Sequence, residues 1–240
     1  MNIIYEPRGK AREYSELAIN LYTGCLHACK YCYCPKIQFK TLEDWSANPQ
    51  ARKDILKHLE KDAQNHRGEK REVLLCFMSD PYQSDKAAEV THQALLILER
   101  NEFKKVTILT KAGFRAMNDF DILKRNNWRF GSTIIFDNEK SRQEWEPSAP
   151  SIKSRIDALK YAHTQDIFTW VSIEPVIYQK ESLNLIRNLL PFVNYWKIGK
   201  LNNFPSIEKK IDWKAFYNEA KKLIPDENVY YKIDLLNAIK

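Results

Sequence analysis

Six short aliphatic and β-branched runs recur along this chain, at residues 17–22, 72–78, 105–110, 130–136, 167–173 and 194–198. Each is followed by a stretch with helical periodicity, and that alternation leaves few folds open. Helices are expected over 86–100, 114–126, 151–164, 181–190 and 213–223, and another over 49–66, where Ala51, Ile55, Leu56 and Leu59 recur at helical intervals. Asn48 and Pro49 supply an N-cap and first-turn pair for that helix. Strand-then-helix units in series imply a parallel sheet with right-handed crossovers. The pattern alone does not choose between a doubly wound sheet and a barrel, but in both the chemistry sits at the C-terminal ends of the strands.

No repeat, low-complexity tract or Gly/Pro/Ser-rich linker divides the 240 residues. One domain over 1–240 is expected, with a core at about 17–200 and a C-terminal helix and extra strand within 211–240. Hydrophobic residues at 44% and charged residues at 29% exclude a disordered or fibrous chain. No apolar run approaches the ~18 residues of a membrane span. The opening MNIIYEPRGKARE carries charges where a signal peptide needs its apolar segment, so a cytoplasmic location with reduced cysteines is expected. Lysine plus arginine (38) less aspartate plus glutamate (31) gives +7, which suits polyanions such as nucleic acid but equally suits solvated helices. With six glycines and neither GxxxxGK[ST] nor GxGxxG, the chain lacks the usual phosphate-cradling loops.

Residues 24–35 read GCLHACKYCYCP, placing Cys25, Cys29 and Cys32 as CxxxCxxC just after the first strand. Soft thiolates in a reducing compartment suit an iron–sulfur cluster or zinc. Three cysteines around a four-iron cube leave one iron open for another ligand. Two alternatives stand beside this reading. Cys34 could join the other three in a closed tetrahedral zinc site, as in a non-enzymatic nucleic-acid binding module, or the protein could be a plain electron carrier.

The motif, its place after the first strand and the chain length resemble the radical S-adenosylmethionine (SAM) superfamily, whose fold is a partial (β/α)6 TIM-like barrel. Within it, NLYTGCLHACKYCYCP with FMSDPYQ, ILTKAG and FGSTIIF is similar to the spore photoproduct lyase-like group. The resemblance implies a [4Fe–4S] cluster on Cys25, Cys29 and Cys32, reductive cleavage of SAM to a 5′-deoxyadenosyl radical, and hydrogen-atom abstraction from a substrate. It also implies a flavodoxin or ferredoxin as reductant, and makes nucleic acid the first candidate substrate, ahead of a peptide or small molecule.

By the same resemblance, Ser79 and Asp80 would accept the SAM ammonium, Lys111 would meet its carboxylate, and Ser132 would bond carboxylate or ribose. Glu174, ending the fifth strand before a proline, would face the ribose or the substrate. Tyr31 and Tyr33 bracket Cys32 where lyase tyrosines help return a hydrogen atom together with a cysteine near the end of the second strand. That cysteine's position is Phe77 here; Cys76, one residue away, falls on the opposite strand face, toward the helices. Cys34 is then the alternative thiol donor. Trp145, Glu146 and Arg155 border the mouth in the loop after the fourth strand, where Trp and Arg would either stack a nucleic-acid base or pack on the following helix.

Overall fold

The computed structural model describes residues 2–240. Ten strands form: β1 (Ile4–Tyr5), β2 (Leu17–Ile19), β3 (Tyr22–Thr23), β4 (Gln50–Ala51), β5 (Val73–Leu75), β6 (Val106–Thr110), β7 (Arg129–Thr133), β8 (Phe168–Val176), β9 (Tyr195–Lys200) and β10 (Val229–Tyr231). Eight of them make one sheet in the order β1-β2-β5-β6-β7-β8-β9-β10, parallel throughout except for the antiparallel β1–β2 edge. This is the α/β partial barrel of the sequence reading, with β10 as the extra strand.

Strand alternation sorts the side chains into two layers. Val73, Leu75, Val106, Ile108, Phe130, Val171, Ile173, Trp196 and Ile198 join the large core beneath the helices. The opposite faces carry Leu74, Leu109, Trp170 and Tyr195, which cluster inside the barrel with Tyr14 and Phe77. Gly131 lies opposite Trp170 in the ladder, where any Cβ would collide with the indole ring. The outer helices start where short polar side chains cap them: Ser84 accepts from Ala87 N, Ser151 from Ser154 N and Asp212 from Ala215 N. Each such cap contributes about 1 kcal/mol.

The barrel is open between β1 and β10, and a polar segment fills the seam. The 3-10 turn Gly9–Glu13 lies against β9 and β10, and Tyr14 inserts into the lumen. Lys197 donates to the carbonyls of Glu13 and Tyr14, and Lys232 to that of Lys10. The Glu13 carboxylate takes Ile233 N at 2.8 Å and Tyr230 OH at 3.1 Å.

Three local expectations are corrected. The 49–66 helix begins only at Ile55, because Asn48 ends the helix Leu42–Ala47 while Gln50–Ala51 pairs with Tyr22–Thr23. The 114–126 helix breaks into three pieces around Asp119, whose buried carboxylate takes Tyr82 OH at 2.7 Å and bonds His92 Nδ1 at 2.5 Å. The 72–78 run leaves the ladder after Leu75, since Phe77 N and Met78 N turn to Asn20 Oδ1 at 2.9 and 3.0 Å.

Candidate functional site

The cysteine loop leaves the first strands at the C-terminal mouth of the barrel and is tied down along its length. Gly24 has φ +90°, and a Cβ there would come within 2.7 Å of the Trp45 carbonyl, so glycine is required. Cys25 N bonds that same carbonyl at 3.3 Å. The Gln83 side chain spans Cys25, accepting from Leu26 N at 2.7 Å and donating to Gly24 O at 3.3 Å. Farther along, Lys30 N reaches Trp145 O at 2.9 Å and Cys32 N reaches Cys29 O at 3.0 Å.

Asp80 is the knot beneath this loop. Its Oδ1 accepts Tyr82 N at 2.8 Å and Thr110 Oγ1 at 2.6 Å; its Oδ2 accepts Lys111 N at 2.6 Å and faces buried His27 Nε2 at 3.1 Å. Burial alone would raise its pKa, but His27 and these hydrogen bonds hold the carboxyl well below the usual range. Two oxygens offer about four acceptor positions; three take hydrogen bonds and His27 stands against the fourth. Asp80 therefore shapes the site and lends it charge, while the neighbouring Ser79 hydroxyl is buried without a hydrogen bond.

Opposite stands a cluster that the sequence did not pair up. Glu146 and Arg155 are both fully buried, with Arg155 Nη1 2.6 Å from Glu146 Oε2. Tyr31 OH donates to Glu146 Oε1, and Lys111 Nζ lies 3.8 Å from the same oxygen and 5.6 Å from the centre of the Tyr31 ring. Burial pulls the Lys111 pKa down, but Cys29 and Glu146 more than restore it. Burial pushes the Tyr31 phenol well above its ordinary value, with Glu146 adding to the effect. Two cations thus share one carboxylate, leaving a buried positive excess beside Cys29.

The other candidates separate into groups. Tyr33 and Cys34 meet at one acceptor, the Phe77 carbonyl, at 3.3 and 3.7 Å. A hydrogen bond from Cys34 lowers the Cys32 pKa against the effect of burial, and burial pushes Cys29 up to about 12, opposed by Lys111. Cys76 is buried in the outer core, its thiol also pushed up to about 12 by burial. Glu174 faces the lumen near the seam, accepting Tyr14 OH at 2.5 Å and Lys232 Nζ at 3.0 Å.

One reading is overturned by position, and another is decided between its two alternatives. Ser132 shares the outer face of β7 with Phe130, and its hydroxyl donates to Thr110 O at 3.1 Å, so it does not line the mouth. Trp145 and Arg155 do not offer a stacking platform: Trp145 is buried, its Nε1 3.2 Å from Tyr178 OH and its ring edge-to-face with Phe204 at 5.4 Å.

Residues 19–193 match the model of the Radical SAM superfamily. The chain belongs to the radical SAM superfamily. It is therefore an enzyme of that class, and the family implies SAM and an iron–sulfur cluster, which ends the non-enzymatic zinc-module reading.

Among relatives of this radical SAM chain, "Uncharacterized protein MJ0683" of Methanocaldococcus jannaschii is 26% identical over 235 residues, covering 94% of this chain and 86% of that one. A spore photoproduct lyase mutant with bound AdoMet and dinucleoside spore photoproduct superposes with a TM-score of 0.63 at 17% identity, covering 93% of this chain. Streptococcus suis SuiB bound to its precursor peptide SuiA gives 0.66 at 15% identity, covering 92% of this chain. At such identities the likeness is one of fold. The chain spans 64% of the lyase and 49% of SuiB. No helix among the described residues is long and apolar enough to cross a membrane.

The radical SAM cofactors fit what these residues offer. Cys25 and Cys32 are half-buried beside buried Cys29. The positive excess at Lys111 and Arg155 suits an anionic thiolate cluster and a carboxylate, and the unbonded Ser79 hydroxyl suits an ammonium.

Proposed function

We propose that Cys25, Cys29 and Cys32 hold a [4Fe–4S] cluster whose fourth iron is open to the amino and carboxylate groups of SAM. Once reduced, that group supplies the electron that splits SAM into methionine and a 5′-deoxyadenosyl radical, which takes a hydrogen atom from the substrate. Lys111 receives the methionine carboxylate as a point charge. Ser79 receives the ammonium, held in place by the Asp80 knot and drawn by its charge. Glu146 fixes the Tyr31 phenol and so the loop between two of the cysteines. Tyr33 and Cys34, together at the Phe77 carbonyl, are the O–H and S–H groups for returning a hydrogen atom. The barrel would have to keep water from a primary radical that attacks whatever lies closest.

The observation that carries this reading is the CxxxCxxC loop at the mouth of the parallel strands, set against half-buried Lys111 and buried Arg155, which share the Glu146 carboxylate. Nucleic acid remains the first candidate substrate, on the net charge and the lyase resemblance, and a flavodoxin or ferredoxin the candidate reductant. Anaerobic reconstitution should give brown protein with about four irons per chain that forms 5′-deoxyadenosine with dithionite. Cys29→Ala should lose both colour and product. Colourless protein with one zinc would overturn the proposal. Deuterium passing from a labelled oligonucleotide into deoxyadenosine would identify the substrate class, and its absence with every oligonucleotide tried would remove nucleic acid.

A further inference from the structure

Seven large hydrophobic side chains stand exposed among the described residues, and four of them, Leu26, Tyr33, Ile37 and Phe39, fall in the segment that carries the cysteines. Phe39 is 98% exposed at a backbone position with φ +53°. Tyr33 caps the single helical turn Cys34–Ile37, and Ile37 N bonds Tyr33 O at 3.3 Å, so Ile37 lies one turn, about 6 Å of rise, from the residue next to Cys32. Residues 17–42 contain three lysines, Lys30, Lys36 and Lys40, and no carboxylate side chain. All three are exposed, and none makes an ion pair among the described residues. A clustered apolar patch with a charged rim marks a macromolecular contact.

We propose that the turn bearing Ile37 and Phe39, rimmed by Lys36 and Lys40, is the docking face for an acidic electron-donor protein. This rests on the cluster reading above, which requires one electron for each SAM cleaved. The donor is oxidised by one electron, and the S–C5′ bond of SAM is the bond that breaks. Two features favour a protein over a nucleic acid. Beside the rings of Tyr33 and Phe39 the patch exposes the aliphatic side chains of Leu26 and Ile37, on which a base does not stack but which a protein interface buries along with the rings. The unpaired lysines complement surface carboxylates and would speed encounter in a salt-dependent way.

The test uses full-length, cluster-loaded protein with Ile37→Asp/Phe39→Asp and Lys36→Glu/Lys40→Glu double variants. Deoxyadenosine formation is driven either by dithionite or by an acidic flavodoxin reduced enzymatically. Dithionite rates should stay within twofold of the parent, while flavodoxin-driven rates should fall tenfold or more. Calorimetric binding of oxidised flavodoxin, which needs no turnover, should weaken in parallel. Raising salt should weaken the parent's flavodoxin affinity more than that of the lysine variant. Equal flavodoxin rates in parent and variants would overturn the assignment, as would equal losses with both reductants. Retained flavodoxin rates with lost single-stranded oligonucleotide binding would reassign the face to nucleic acid. If the parent forms no deoxyadenosine with dithionite, the radical reading itself fails, and this inference fails with it.

Discussion

Two buried charge clusters share one barrel, and they are balanced differently. At the seam, Lys232 pairs with Glu174 at 3.0 Å and Glu13 at 4.0 Å, and both it and Lys197 donate to backbone carbonyls of the inserted segment. At the mouth, Lys111 and Arg155 share Glu146, the first at 3.8 Å and the second at 2.6 Å, and Arg155 also donates to the carbonyls of Thr133 at 3.1 Å and Pro150 at 2.9 Å, which leaves Lys111 as the loosely held cation. Matched charges with saturated hydrogen bonds are what a structural closure requires. An unmatched cation, loosely held and opening toward the cysteines, is what a site awaiting an anion requires. The tight Glu146–Arg155 contact is the fixed member of the mouth cluster and Lys111 the transferable one.

The largest effects should come from removing the carboxylates. Glu146→Ala leaves the Arg155 charge buried with only the Thr133 and Pro150 carbonyls to meet it, and should cost about 3–5 kcal/mol in urea denaturation. Glu174→Ala removes a carboxylate whose side chain is 21% exposed, and leaves Lys232 its carbonyl and Glu13 at 4.0 Å. It should cost about 1–2 kcal/mol. Equal losses would erase the distinction between the clusters.

Removing the lysines should separate binding from stability. Lys111→Met leaves a one-to-one Glu146–Arg155 pair, so the stability of the empty protein should change by less than about 1 kcal/mol. SAM affinity of the cluster-loaded protein should fall about 10- to 100-fold, the equivalent of one charge-assisted hydrogen bond. Lys232→Met should show the reverse, with stability falling by about 1–3 kcal/mol and SAM affinity unmoved. A Lys111 variant that binds SAM normally would assign the carboxylate elsewhere.

This contrast was only partly legible in the sequence. The alternation of runs and periodic stretches announced the parallel strands, and CxxxCxxC marked the mouth. Lys111 could be placed because it ends its run. Facing was harder to read, because strands covered on both sides become nearly continuous apolar runs. In FGSTIIF nothing distinguishes the lumen side, so the sequence does not reveal that Ser132 shares the outer face with Phe130. The Glu146–Arg155 pair joins a helix end to the next helix nine residues on, and only tertiary burial turns those charges into partners. The seam filler GKAREYSE reads as a solvated loop, and Tyr14 enters the lumen because β1 and β10 leave a gap that no local pattern reports. Asn48-Pro49 was chemically apt for a helix start, but here the chain needs an extended partner for Tyr22–Thr23 first.

Lys197 sharpens the seam's half of the comparison through pH. Burial lowers the Lys197 pKa to about 8, reinforced by Lys232 and Arg129 and opposed by Glu72 and Glu174. A lysine in the unfolded chain keeps its ordinary value of 10.5. Between those two values the unfolded chain binds a proton that the folded protein has released, so this residue makes stability rise with pH. Below about 8 both states are protonated, and the contribution is flat at its least favourable level. The slope contributed by Lys197 can reach about 1.4 kcal/mol per pH unit. Lys197→Met should remove that component, so the stability difference between parent and variant should grow in the parent's favour from pH 8 to 10. A pH-independent difference would mean that the Lys197 ammonium is as well solvated folded as unfolded. The seam would then be a wet crevice rather than a dry, balanced closure.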